Sequence, residues 1–137
     1  MTKDNFSTRA AEYAIYRPTY ADELIEFLIN NTFKHFNALD CATGNGQVAV
    51  KLAAHFKNVS AIDISERQLQ NAIQKNNISY SLQQSEQTNF ADEKFDLISV
   101  GQAAHWFNLP EFYKEVHRIL KPGGLLALFG YGLFRTE

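Results

Sequence analysis

The sequence contains one cysteine, and it has neither a long apolar run nor the apolar core of a signal peptide. The one cysteine, Cys41, excludes an internal disulfide bond and a cysteine-held metal cluster, and the four histidines lack the spacing of metal ligands. We therefore expect no bound metal. The longest apolar runs, such as Leu125–Phe129, fall far below the roughly 20 residues that a membrane span needs. The polar start, Met1–Asn5, lacks the apolar core of a signal peptide.

Neither sign of charge is in large excess. The formal net charge is −2, and the lysines and arginines are scattered, so we expect no strong attraction to nucleic acid or to an anionic membrane. A hydrophobic fraction of 45% and a charged fraction of 20% are typical of a soluble globular protein. The composition predicts a cytoplasmic protein.

The length predicts a single domain over 1–137. A chain of 137 residues buries roughly two thirds of the surface that it exposes when unfolded. We assign an N-terminal helical segment to 1–36, because Leu24, Phe27 and Leu28 follow Pro18 with the spacing of one helical face.

The rest of the chain alternates short apolar runs with helical patterns, which is typical of βαβ units. The predicted strands are Ala38–Ala42, Val59–Ile64, Ile78–Gln83, Phe95–Val100 and Leu125–Phe129. The predicted helices between them are Gln47–Phe56, Ser65–Lys75, which begins with a capping box, and Leu109–Leu120. Lys121–Gly124 is expected to end the last helix and to turn the chain into the fifth strand. Because crossover connections are right-handed, we predict an α/β fold with a Rossmann-like, doubly wound parallel sheet of strand order 3-2-1-4-5.

The segment Leu39–Gln47 predicts a sharp turn from the first strand into a helix. Gly44 and Gly46 let the backbone bend tightly and approach a ligand where a Cβ would clash. Asp63 follows the second apolar run, where a carboxylate can accept hydrogen bonds from both hydroxyls of a ribose. We therefore expect a ligand that contains a ribose.

Two classes of cofactor fit this layout, and charge favours one of them. Gly44-x-Gly46-x-x-Ala49 matches the dinucleotide fingerprint, which places a pyrophosphate against the loop. Asp40, at the end of the first strand, would repel that pyrophosphate at a weakly screened site. S-adenosylmethionine carries an α-ammonium and a sulfonium beside its ribose. Asp40 therefore suits the positively charged end of this ligand, and Asp63 suits its ribose. A nicotinamide dinucleotide is the alternative.

Residues after the third and fourth strands are further candidates. Ser85 and Glu86 can hydrogen-bond an adenine edge or form a solvated turn, and Gln102 is expected to contact the cofactor. His105 can act as a base or orient an acceptor, because the ordinary pKa of histidine is about 6.5. Alternatively, His105 and Trp106 pack the loop.

Six segments along the chain are together characteristic of one family: Ala14–Tyr20, Leu39–Gln47, Ala61–Ser65, Phe95–Ile98, Ala104–Phe107 and Arg118–Gly124. In these segments the chain resembles class I S-adenosylmethionine-dependent methyltransferases of the methyltransferase type 11 group, which includes trans-aconitate-methyltransferase-like proteins. The resemblance implies an enzyme that moves a methyl group from S-adenosylmethionine to a small-molecule acceptor.

The resemblance also implies which residues hold the cofactor. It assigns the methionine portion to Asp40 and Thr43–Gly46, the ribose to Asp63, the adenine region to Ile64 and Glu86, and the neighbourhood of the sulfonium to Gln102. The predicted cofactor-binding residues are Asp40, Ala42, Thr43, Gly44, Asn45, Gly46, Asp63, Ile64, Ser85, Glu86 and Gln102. No residue is a compelling nucleophile, and His105 is the candidate catalytic residue.

Two departures from the family's pattern bear on function. Ala42 stands where the family usually has its first glycine, which adds one methyl group near the ligand. The chain stops at Glu137, whereas the family's fold usually continues through two more strands. The apolar run Leu125–Phe129 is typical of a strand that is covered on both faces. In this chain it would form the edge of the sheet, where its unpaired backbone groups can bind a strand of another chain. We predict either a homodimer through this edge or a longer protein of which this chain is the front part.

Three functions stay open from the sequence. The first is a methyltransferase acting on a small molecule. The second is a truncated cofactor-binding module without independent transfer activity. The third is an NAD-dependent oxidoreductase, against which the charge of Asp40 argues.

Overall fold

The computed structural model describes residues 22–101 and 107–128, which form an α/β fold around a parallel sheet. Its strands are β1 (Asn37–Cys41), β2 (Asn58–Asp63), β3 (Ile78–Leu82), β4 (Phe95–Val100) and β5 (Leu120–Leu128). The described helices are α1 (22–30), α2 (Gln47–Ala53), α3 (Glu66–Gln70) and α4 (Leu109–Ile119). The strand order is β3-β2-β1-β4-β5, and each neighbouring pair is parallel. The predicted fold class and strand order are confirmed.

The central strands β1 and β4 are packed on both faces. Successive side chains of a strand point to opposite faces, so Ala38 and Leu97 join the apolar layer under α1 and α2, while Leu39 and Ile98 join the layer under α4. Burying each large apolar side chain stabilises the fold by about 1.5–3 kcal/mol. This packing fixes the carboxyl ends of β1 and β4, where the predicted site residues begin.

Helix α3 is shorter than the predicted Ser65–Lys75. Ser65 caps its first turn as expected, because its hydroxyl accepts a hydrogen bond from the Gln68 amide (3.2 Å). The helix ends at Gln70 because the Asn71 side chain donates to the Arg67 carbonyl (2.9 Å) and so takes the place of the next helical bond. The chain then turns toward the glycine loop, where the Ile73 amide donates to the Asn45 carbonyl (3.0 Å).

Helix α2 also ends earlier than predicted, at Ala53 rather than Phe56. The amides of His55 and Phe56 both donate to the Leu52 carbonyl, at 2.9 and 3.0 Å, in a closing turn. The Phe56 side chain nevertheless stays buried in the layer with α1 and α2. The sequence pattern extended the predicted helix to Phe56 because this residue is buried, although it lies in the turn that follows the helix.

Strand β5 begins at Leu120, five positions before the predicted start. Phe95 pairs with Leu120 and Leu97 with Leu125, so Lys121–Gly124 bulge opposite the single residue Asp96. The buried Asp96 carboxylate accepts from the Lys121 ammonium (3.0 Å) and from two backbone amides at the start of β1. The Lys-Pro-Gly-Gly segment ends α4 as predicted, but it lies within β5 because Asp96 anchors it there.

Within the described residues, β5 lies at one edge of the sheet. Its side chains are half-buried or exposed, in contrast to the fully buried β4. The homodimer through this edge stays a prediction. In the described part of the chain, every helix is too short or too polar to cross a bilayer.

Candidate functional site

The loop between β1 and α2 is the centre of the candidate site. Ala42, Gly44 and Gly46 all have left-handed backbones, with φ of 54°, 61° and 91°. This conformation is open to glycine and costs other residues roughly 1–2 kcal/mol. The three bends turn the chain sharply at the carboxyl end of β1, as the glycine spacing predicts.

The two glycines of the loop serve different purposes. A Cβ at Gly46 would lie 2.1 Å from the Tyr80 hydroxyl, which itself donates to the Ile73 carbonyl (2.6 Å). A Cβ at Gly44 would have no atom of the described residues within 4 Å. A side chain at Gly46 would therefore have to displace the Tyr80 ring, whereas the backbone around Gly44 leaves room for a ligand.

Asp63 connects the loop to the end of β2. Its Oδ2 accepts from the Gly44 amide (2.9 Å), and its Oδ1 accepts from the Ser65 amide (2.8 Å). Each carboxylate oxygen has two acceptor positions, so each retains one for a further donor. The sequence placed Asp63 correctly beside the loop but did not indicate that its carboxylate holds the loop in place.

Asp40 lies beneath the loop with 3% of its surface exposed. Its Oδ2 accepts from the Thr43 hydroxyl (2.7 Å) and its Oδ1 from the Ser99 hydroxyl on β4 (2.8 Å). Burial is the largest influence on the pKa of Asp40 and raises it to about 6; the two hydroxyls lower it, and the charge of Asp63 raises it. Asp40 is thus a buried carboxylate that is mostly ionised at pH 7.

Backbone amides of the loop are used within the protein. The Thr43 amide donates to the Ile62 carbonyl (2.9 Å), the Gly46 amide to the Thr43 carbonyl (3.0 Å), and the Gly44 amide to Asp63. Loops that bind phosphate instead point their amides at the anion. With three amides satisfied internally and two carboxylates nearby, the loop is electrostatically suited to a cation.

Ser85 and Glu86 lie in a tight turn after β3, and both have structural partners. Ser85 is buried, and its hydroxyl interacts with the thiol of Cys41, whose pKa burial raises to about 12. The Glu86 carboxylate accepts from the Asn108 amide (3.0 Å), and the Asn108 side chain caps α4. Their predicted role at an adenine edge stays a prediction, and the contact between Glu86 and Asn108 joins segments too distant in sequence for a local pattern to reveal it.

Two exposed apolar side chains lie at the carboxyl ends of β2 and β3. Ile64 is 76% exposed and Leu82 is 58% exposed, although both are large and apolar. An aromatic base packs well on such side chains. Ile64 was predicted near the adenine region, whereas Leu82 was included in the predicted third strand and was not singled out.

Three predicted or candidate residues, Gln102, His105 and Trp106, lie outside the described residues. Asn45 is described, and its backbone carbonyl receives the Ile73 amide. Among residues 22–101 and 107–128, no three side chains of the metal-binding types gather closely enough to hold an ion.

The known proteins that this chain resembles include methyltransferases. A sequence profile described as a methyltransferase domain matches residues 39–128. A provisionally named methyltransferase of Dictyostelium discoideum is 40% identical over 133 residues, which cover 96% of this chain and 51% of that protein. A ubiquinone/menaquinone biosynthesis C-methyltransferase of Rickettsia prowazekii is 34% identical over 72% of this chain and 46% of its own length.

A solved structure supports the same fold. The structure of a provisionally named type II methyltransferase from Anaeromyxobacter dehalogenans aligns with a TM-score of 0.77 and 33% identity, covering 81% of this chain and 47% of that one. This chain therefore spans about half the length of the relatives that it matches. The narrower resemblance to the trans-aconitate group stays a prediction.

Replacing Ala42 with glycine is expected to stabilise the protein. Ala42 has a φ of 54°, and glycine removes the Cβ penalty of that conformation at a smaller entropic cost. We expect the free energy of unfolding to rise by about 0.5–1 kcal/mol in urea titrations. The matched control is Ala54→Gly at a right-handed backbone (φ −72°), which should be destabilising. Destabilisation by both changes would contradict the assigned strain.

Asp40→Asn is expected to stabilise the ligand-free protein near neutral pH. The pKa of Asp40 is raised from 3.8 to about 6, so the folded state loses stability relative to the unfolded state as pH rises through that window. The asparagine variant has no such dependence. Urea unfolding should therefore give similar stabilities for both proteins below about pH 4, and an advantage of about 2–3 kcal/mol for the variant near pH 7.5. An advantage independent of pH would contradict the assignment.

Proposed function

Because this chain belongs to the class I S-adenosylmethionine-dependent methyltransferases, we propose that it binds S-adenosylmethionine at the loop between β1 and α2 and serves methyl transfer to a small-molecule acceptor. The family follows from the profile match over residues 39–128 and from a relative that is 40% identical over 96% of this chain. The acceptor, and transfer by this chain itself, are part of the proposal.

The observation that carries the proposal is the electrostatic character of the loop. Thr43, Gly44 and Gly46 direct their amides to acceptors within the protein, and Asp40 lies directly beneath them. A pyrophosphate would meet the negative charge of Asp40 at close range. A ligand with an ammonium and a sulfonium gains from the same charge, which favours S-adenosylmethionine over a nicotinamide dinucleotide.

The neighbouring residues fit the rest of that ligand. Each oxygen of the Asp63 carboxylate retains one acceptor position, which suits the two hydroxyls of a ribose. The exposed side chains of Ile64 and Leu82 offer an apolar surface for an adenine ring. The open backbone at Gly44 allows the ligand to lie close to the chain.

Positioning is the main chemical task of such a site. S-adenosylmethionine supplies, when bound, a methyl group already activated by its sulfonium. The chain contributes a fixed backbone at the loop, because Asp63 accepts from the Gly44 amide and Tyr80 lies against Gly46. Aligning an acceptor with a fixed group can supply a large share of the rate enhancement. A base is needed only where the acceptor must lose a proton, and His105 is the candidate for that role.

A second candidate is a cofactor-binding module without independent transfer activity. It is favoured by one observation: the chain spans about half the length of the relatives that it matches. The residues assigned to the cofactor fall within the matched range, and His105 is the one residue in that range with a proposed role toward the acceptor. Cofactor binding without turnover across a broad set of acceptors would favour this candidate.

Calorimetric titration tests the proposal. We expect the chain to bind S-adenosylmethionine and S-adenosylhomocysteine in the micromolar range and NAD far more weakly. Asp63→Ala should weaken binding at least tenfold, because it removes both acceptors for the ribose and the tether of Gly44. The matched control is Glu66→Ala, which removes the same charge from an exposed position nearby and should bind normally.

Two results would contradict the proposal. Folded wild-type protein that binds neither ligand would exclude the cofactor site in this chain. Equal affinity of the folded Asp63→Ala variant and the wild type would exclude the placement of the ribose. Thermal unfolding of each variant establishes that the protein tested is folded.

A further inference from the structure

We propose that Ser99 on β4 is a positioning residue that acts through Asp40 to set the pH range over which this chain binds ligands bearing an ammonium group. The inference rests on the proposed function, because it needs the ligand at the loop between β1 and α2. It adds a residue outside the loop to the determinants of cofactor affinity.

The geometry places a hydroxyl against a buried carboxylate. Ser99 is paired directly with Asp40 across β1 and β4, is 0% exposed, and donates to the Asp40 Oδ1 at 2.8 Å. Its neighbours in the strand, Ile98 and Val100, are buried and apolar. A buried hydroxyl costs free energy unless it is hydrogen-bonded, so the contact with Asp40 accounts for a polar side chain in this position.

The hydroxyl also has a second acceptor. The Leu39 carbonyl lies 3.4 Å from the Ser99 Oγ, a longer contact than the one to Asp40. When Asp40 is protonated, the hydroxyl can turn to this carbonyl and remain satisfied. Ser99 therefore favours the ionised form of Asp40 by a short, charge-assisted bond and allows the neutral form without leaving an unpaired donor.

Other groups around Asp40 raise or lower its pKa. Asp63, the last residue of β2, carries a like charge and disfavours ionisation of Asp40, whereas the Thr43 hydroxyl favours it. Tyr80 on β3 has a raised pKa, mainly through burial and partly through Asp40, and is neutral in the physiological range. The adjacent Cys41 thiol, on which Glu86 also acts, has a pKa near 12 and is neutral as well. In the described part of the chain, the two hydroxyls are thus the groups that lower the pKa of Asp40.

The consequence for binding follows from charge. An ionised Asp40 attracts the ammonium of the amino-acid portion of the ligand, and a neutral one does not. Because the pKa of Asp40 is about 6, affinity for an ammonium-bearing ligand should fall as pH decreases through that value. Loss of the Ser99 hydroxyl raises this pKa further and moves the fall to higher pH.

The test measures dissociation constants of two ligands between about pH 5 and about pH 8. S-adenosylhomocysteine carries the ammonium. 5′-Methylthioadenosine keeps the adenine and ribose but lacks the amino-acid portion, so it reports any pH effect that does not act on the ammonium. The proteins compared are the wild type, Ser99→Ala, and Thr43→Val, which removes the other hydroxyl that contacts Asp40. The control is Ser60→Ala, which changes a half-buried serine on β2, the strand on the other side of β1.

We expect wild-type and Ser60→Ala proteins to lose affinity for S-adenosylhomocysteine with a midpoint near pH 6. The midpoint should move upward by about one pH unit in Ser99→Ala, with affinity recovering at high pH, and 5′-methylthioadenosine should show no such shift. Thr43→Val should move it in the same direction and carries the test if Ser99→Ala does not fold.

An unchanged midpoint in the folded hydroxyl variants would overturn the inference while leaving the proposed function intact. The same holds for a wild-type profile that is flat, or for a midpoint that shifts equally for 5′-methylthioadenosine. Absence of binding by the folded wild type for both ligands at every pH would instead overturn the proposed function, and this inference with it.

Discussion

The hydrogen bond from the Gly44 amide to the Asp63 carboxylate is the contact on which the candidate site depends. It joins the turn after β1 to the end of β2, and the Ser65 amide holds the other oxygen of the same carboxylate. Because the sheet is packed on both faces, the ends of β1 and β2 are fixed relative to one another. One side chain thereby positions the open backbone of the loop and offers acceptors to a ligand beside it.

The second constraint is the burial of Asp40, which costs stability in the ligand-free protein. Burial of this carboxyl group, which is 3% exposed, favours its neutral form over its ionised form and so raises its pKa. Two hydroxyls from the loop and from β4 offset part of the penalty. An asparagine here would stabilise the fold but remove the negative charge that attracts a cation. Functional sites commonly retain such destabilising groups, and under the proposed function the ammonium of the ligand is the reason for this one.

The sequence predicted the sheet and the sharp turn after its first strand, because apolar runs and glycine spacing are local signals. It did not predict contacts between distant segments. Gly46 appeared to be open to a ligand, but the Tyr80 hydroxyl from β3 lies where its Cβ would be. Ser99 looked like one residue of a buried strand until the pairing of β1 with β4 placed it against Asp40. The Asp96 carboxylate likewise forms an ion pair with Lys121 in β5, a contact that spacing alone does not reveal.

The measurement that tests the account most directly is an NMR titration of the isotopically labelled chain with S-adenosylhomocysteine, followed through its backbone amides. The account predicts saturable shifts concentrated at Gly44, Ile64 and Ser65, which surround the Asp63 carboxylate, with little change at the opposite end of the sheet around Asp96. Saturable shifts that leave Gly44 and Ser65 unmoved would place the ligand elsewhere and contradict the account.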